Sequence, residues 1–217
     1  LIGIVGRLQH WKGVHVYLRA MSLVAKHHPR IQGVIVGGKH ELEPGYPDLL
    51  ERVRQEEGLC DVVRMAGRQT NIPDWMGAMD VVVHASEREP FGIVIAEAMA
   101  LKKTVIATCP GGPEEIIHSG EDGLLVPWND EAALGNAILR CLENPVLAER
   151  LAHQAQKRSR DLANQYVVTG FPDGLMESNV GTGTTGKIIG IKSGIHRSKS
   201  LFQADQIGFG RPLGSPF

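Results

Sequence analysis

The chain has 217 residues, 42% of them hydrophobic and 22% charged, and a formal net charge of -1. That length buries one sizeable core with an appendage, and the composition is that of an ordinary globular protein. Near-neutrality excludes a broad basic face for nucleic acid and an acidic block acting as a disordered arm, so a small molecule is the expected partner.

Short apolar runs alternate with amphipathic helical segments from the first residue to about 167. Such alternation predicts a parallel sheet covered by helices on both faces. Strands are expected at 1–5, 33–36, 62–66, 81–84, 104–107 and 124–126. Since the chain opens on Leu1, already inside a strand pattern, its natural start is expected upstream. Val14, Tyr17, Leu18, Met21 and Val24 fall on one helical face, and Pro29 ends that helix. Further helices are predicted at 47–57, 73–79, 92–101 and 113–119, each opened by Pro or Gly and the first and last followed by Gly58 and Gly120. Asn129 or Asp130 caps the next helix, whose stripe is Leu134, Ala137, Ile138, Cys141 and Leu142. Pro145 opens a last long helix towards Tyr166. From about Thr169 glycine and serine become dense and helical periodicity stops, so the expected division is a domain at 1–168 and a tail at 169–217 without packed structure.

In an open parallel sheet, ligands bind beyond the carboxyl ends of the strands, which directs attention to the loops that follow them. After the first strand comes Gly6-Arg7-Leu8-Gln9-His10-Trp11-Lys12-Gly13, two cations and two glycines ahead of a helix. Arg7 can fork two phosphate oxygens and Lys12 can supply a point charge, so the loop suits a diphosphate, although it also reads as a solvated turn. After the fourth strand, Glu89-Pro90-Phe91-Gly92 turns the chain into a helix through Ile93, Val94 and Glu97. Free backbone N–H groups from Phe91 to Val94 would face an anion at the positive end of the helix dipole. Glu97, roughly 7 Å along the axis, is placed to accept hydrogen bonds from a ribose diol, and Glu89 from a sugar. Gly111 and Gly112 after the fifth strand allow close approach of backbone to ligand, while Glu114 and Glu115 read as helix-capping charges.

In the order and spacing of these residues, with the Glu121-Asp122-Gly123 turn before Leu124, the chain resembles the retaining glycosyltransferases of family 4. The resemblance spans 1 to about 167 and implies the C-terminal, donor-binding half of a two-domain GT-B type enzyme, a Rossmann-like doubly wound parallel sheet of about six strands. By that resemblance Arg7 and Lys12 hold the diphosphate, Glu89 the donor sugar and Glu97 the ribose. The backbone at Gly92, Ile93 and Val94 takes the distal phosphate, and Gly6, Gly111 and Gly112 complete the donor site. The loop 67–71, including Arg68, packs against the nucleobase. Such an enzyme carries an N-terminal acceptor domain before the residue corresponding to Leu1, so this half alone is expected to transfer no sugar. Its substrate would be a nucleoside-diphosphate sugar, with no cofactor and no metal. A non-catalytic nucleotide-binding module is the rival reading. A nucleotide-sugar epimerase is a third, which would need acid and base groups that the sequence does not supply.

Other motifs are weaker. The 181–188 run Gly-Thr-Gly-Thr-Thr-Gly-Lys-Ile imitates a phosphate loop, but Ile188 stands where a magnesium-binding hydroxyl is required and no strand precedes it. No pair of the nine histidines shares ligand spacing with Asp, Glu or Cys, and His84, at a strand end where it could line the cleft, reads rather as a satisfied core histidine. Three cysteines without a C-x-x-C pair fit a reducing, cytoplasmic compartment. No apolar run approaches the roughly 20 residues of a spanning helix, which leaves membrane association of the natural protein undecided.

Overall fold

The computed structural model describes residues 1–165 and, further on, the backbone of a two-residue parallel pairing between Val168–Thr169 and Ile189–Gly190. Apart from that pairing, the tail expected at 169–217, with its 181–188 run, lies outside the described residues.

All six predicted strands form one parallel sheet, β1 (Ile2–Val5), β2 (Gly33–Val36), β3 (Val63–Gly67), β4 (Val81–His84), β5 (Thr104–Cys109) and β6 (Leu124–Pro127), in the order β3-β2-β1-β4-β5-β6. Helices cover both faces, so β1, β2 and β4 are continuous, fully buried apolar runs rather than alternating ones, whereas the edge strand β3 carries Arg64. β5 and β6 run beyond the sequence estimate because Thr108 pairs with Val126 and Cys109 with Pro127. The strand order reverses between β1 and β4, which lie side by side with Ile2 against Val81 and Ile4 against Val83.

Helices α1 (Val14–His27), α2 (Tyr46–Glu56) and α6 (Glu131–Glu143) pack on one face. On the other lie α3 (Ile72–Ala78), α4 (Ile93–Ala100) and the short α5 (Pro113–Ile116), while α7 (Pro145–Gln165) joins both cores, Leu147 and Leu151 the first and Ala155 and Leu162 the second. The stripe predicted for α1 is its buried face, with Tyr17, Leu18, Met21 and Val24 fully enclosed, and the helix stops at His27, ahead of Pro29. Of the two candidate caps of α6, Asp130 serves, its Oδ1 accepting from the Ala133 N–H at 2.7 Å.

The helix expected at 113–119 ends at Ile116, because Ile117 turns extended. The buried Asp122 then organises the turn, accepting from the His118 N–H at 2.7 Å, while the Gly120 N–H bonds the Gly123 carbonyl at 2.7 Å. Those local bonds satisfy backbone groups that a longer helix would otherwise use.

Candidate functional site

The loops after β1 and β4 leave the sheet at the reversal point and are fastened to each other. His10–Lys12 forms a 3-10 turn closed by Gly13 in the left-handed region, at φ 67°. A Cβ on Gly13 would stand 1.9 Å from the Ala85 carbonyl oxygen, so only glycine lets the two loops approach this closely. Alongside, the Glu87 N–H donates to the Trp11 carbonyl at 2.7 Å.

This fastening brings Lys12 to Glu89. The ammonium lies 2.6 Å from Glu89 Oε2 and 4.0 Å from the centroid of the Trp11 ring. His84, at the last position of β4, reaches the same Oε2 with its Nε2 at 3.1 Å. Both donors thus hold one carboxylate oxygen, while Oε1 takes no hydrogen bond from any described residue. Burial pushes the Glu89 carboxyl up, but the hydrogen bonds from His84 and Lys12, with the charge of Lys12, outweigh it and hold the group at about 2. Glu89 is therefore a fixed anion, with its side chain only 14% exposed.

His84 is buried, and its Nδ1 has no hydrogen-bond partner. Ser86 Oγ lies 3.2 Å from its Nε2, and Thr108 on β5 donates to the Ser86 carbonyl at 2.6 Å. Reading His84 as a satisfied core histidine is thus corrected: one nitrogen is unsatisfied and the other belongs to the Glu89 cluster. Its place at a strand end, directly before a loop carrying Glu89, was the available signal.

The third loop closes on the same group. The Gly112 N–H donates to the Glu89 carbonyl at 2.8 Å, and a Cβ on Gly112 would stand 2.6 Å from backbone atoms of Pro90 and Phe91. The glycine pair thus permits a close approach of backbone to backbone. Gly92, at φ 96°, then starts α4, and the amide N–H groups of Ile93 and Val94 have no acceptor among the described residues.

Within α4, Ile95, Ala96, Ala98, Met99 and Ala100 are buried, as expected of a helix apolar on every side. Glu97 is its one charged residue. Burial raises its pKa, and no hydrogen bond or ion pair reaches the carboxylate among the described residues. The structure brings Lys12 and Glu89 together with Gly13 and Gly112, but not the other cations. Arg7 is exposed and has no partner among the described residues, and Arg68, also exposed, packs its stem against Gly38 just after β2. The two cations expected to act as a pair in the first loop therefore differ, one engaged and one in solvent.

No group of three His, Cys, Asp or Glu side chains among the described residues could hold a metal ion. A groove of about 410 Å³ lies elsewhere, at the amino end of β6, where His118, Asp122, Arg150, Lys157 and Arg158 mix both signs of charge. It is remote from the carboxyl ends of the strands, where this topology places ligands.

A parallel sheet in this order, with convergent polar loops at its reversal point, defines a Rossmann-like α/β domain of the kind that makes up GT-B glycosyltransferases. Residues 1–158 match the family model of the glycosyl transferases group 1, and the chain belongs to that family. Among curated relatives, the D-inositol 3-phosphate glycosyltransferase of Thermomonospora curvata is 33% identical over 168 residues, covering 75% of this chain and 39% of that protein. Anabaena Alr3699/HepE, solved in complex with UDP, matches at a TM-score of 0.70 and 32% identity, over 74% of this chain and 43% of that one. The C-terminal domain of the group 1 family protein LpcC from Francisella tularensis matches at a TM-score of 0.69 and 29% identity, over 74% of this chain and 84% of that one. The chain therefore spans well under half the length of the first two and most of the third. No helix among the described residues is long and apolar enough to cross a membrane.

Proposed function

We propose that this chain is the donor-binding half of a retaining glycosyltransferase that takes a sugar from a nucleoside-diphosphate sugar and passes it to an acceptor held by an upstream half. The observation that carries the reading is the junction at the reversal point: a cation, a fixed carboxylate with one open oxygen, and a helix start with two unengaged N–H groups, all within three loops fastened together. The UDP complex of the Anabaena protein supports the substrate class.

In this reading the diphosphate lies over the first loop, between Lys12, Arg7 and the Ile93 and Val94 N–H groups. Departure of the nucleoside diphosphate concentrates negative charge on its distal phosphate. Fixed donors stabilise that charge more than the spread charge of the ground state, which is electrostatic catalysis. Exposed Arg7 is free to swing onto the phosphates, whereas Lys12 is pre-placed. Glu89 Oε1 accepts from hydroxyls of the transferred sugar and orients it, and Glu97 accepts from the ribose. For retention, the acceptor attacks from the face that the leaving group vacates, and the leaving phosphate takes the acceptor's proton. These cations and dipoles supply charge neutralisation without requiring a metal.

Calorimetric titration of the chain with UDP tests the reading. We expect weak binding that Lys12→Ala lowers at least about fivefold, from loss of one charge-assisted contact. Binding of UDP, GDP and ADP unaltered by Lys12→Ala would refute the phosphate site.

A further inference from the structure

We infer that His84 is the positioning residue that keeps Glu89 aimed at the donor sugar while Lys12 is engaged by the diphosphate; this rests on the function proposed above. Two donors share Glu89 Oε2, Lys12 Nζ at 2.6 Å and His84 Nε2 at 3.1 Å. They are not equivalent. Lys12 sits on a flexible four-carbon stem, 17% exposed, beside the loop that would receive phosphate, and an ammonium offers further protons to a second anion. His84 is 4% exposed, fixed by its ring and by β4, and among the described residues has no other acceptor within reach apart from Ser86. When a dianion competes for Lys12, the histidine is the tether that stays.

The tautomer follows from the surroundings. Glu89 presents only lone pairs to Nε2, so that nitrogen carries the proton. Nδ1 is buried without a partner, and leaving it as a bare lone pair costs less than stranding a second N–H there. His84 therefore acts through one directed hydrogen bond, donated from Nε2. Ser86 lies beside that bond, and Thr108 fixes the Ser86 carbonyl from β5, so the position of the ring relative to the loop is set from two strands. The consequence is geometric: with Oε2 held from beneath, Oε1 is the oxygen left to meet the sugar.

The test compares His84→Leu, His84→Gln and His84→Asn in the 217-residue chain, titrated with UDP and with UDP-glucose. A glutamine amide places its nitrogen near the position of Nε2, whereas an asparagine amide reaches only that of Nδ1. The quantity read is the ratio of UDP-glucose affinity to UDP affinity, which a general loss of stability does not move. His84→Leu and His84→Asn should lower that ratio about tenfold, as Glu89→Ala does, with UDP affinity retained, and His84→Gln should restore it. A ratio that falls with Glu89→Ala but not with His84→Leu or His84→Asn overturns the role of His84 alone. If His84→Leu fails to fold, His84→Gln and His84→Asn decide, since equal ratios in those two also overturn it. A ratio unmoved by Glu89→Ala, or no binding of either ligand to the unaltered chain, overturns the site reading and this inference with it.

Discussion

Glu97 offers a test in which fold and function pull in opposite directions. It is the one charge in a helix that is otherwise apolar on all sides, burial disfavours its ionised form, and nothing in the described part of the chain bonds to it. A carboxylate placed so is a cost to the fold unless a ligand uses it. Glu97→Met keeps an unbranched side chain of similar length and similar helix propensity. It should stabilise the ligand-free chain by about 1 kcal/mol, within the usual range for relieving such a site, or roughly 2–4 °C in melting temperature at this size. The same change should weaken UDP binding by about 1–3 kcal/mol, the range for hydrogen bonds to a charged acceptor, or roughly 5-fold to 150-fold. Ribose hydroxyls donate to the ionised form, so binding favours deprotonation of a group whose pKa is raised. Affinity for UDP-glucose, whose diphosphate diester does not titrate in this range, should therefore be full above that raised value. It should begin to fall on acidification at a pH higher than 4.5, the ordinary value for a glutamate. Differential scanning fluorimetry and calorimetry on the two proteins read both effects. A lower melting temperature with unaltered UDP affinity would show that the carboxylate serves the fold.

Two other outcomes follow from the fastened loops. Gly13→Ala would put a Cβ 1.9 Å from the Ala85 carbonyl at a left-handed φ of 67°. Backbone strain alone costs about 1–2 kcal/mol and the clash adds to it, so thermal melting should fall by at least roughly 4 °C; an unchanged melting temperature would contradict the contact. Glu89 has a folded pKa of about 2 against the ordinary 4.5, so its stabilising effect is complete above 4.5 and is lost as pH falls towards 2. In urea unfolding, the stability gap between the unaltered chain and Glu89→Gln should be constant above that window and close within it, and a gap that widened on acidification would reverse the assignment.

The fold was legible because its signals are local and repeated. β1, β2 and β4 are short Val/Ile runs, and Pro47, Pro73, Pro113 and Pro145 stand in the first turn of the helices they were read to open. The exceptions are places where a polar side chain outcompetes a backbone pattern, as Asp122 does after α5. The candidate site was legible as a set of loops, since topology alone sends the ends of β1, β4 and β5 to one edge. What sequence could not supply was pairing across the chain. Nothing in the spacing of Lys12 and His84 says that both meet one oxygen of Glu89, because that contact depends on the approach of Gly13 to Ala85, 72 positions apart. Arg7 and Lys12, five positions apart, were both expected at the diphosphate, and only the fold of the 3-10 turn decides which one faces inward.

That pairing also bears on why a donor site should contain an anion beside its phosphate-binding cation. An unpaired lysine at 17% exposure would be costly to enclose, and a free carboxylate beside a diphosphate would repel it. Placed together, each removes the other's penalty in the ligand-free state. The arrangement remains compatible with phosphate only if the carboxylate has a second donor once the ammonium is shared, and His84 is that donor at 3.1 Å. Loss of His84 should then matter least when no phosphate is present and most when a complete nucleotide sugar occupies the loops. This ordering separates a tether for Glu89 from a residue that merely fills the end of β4.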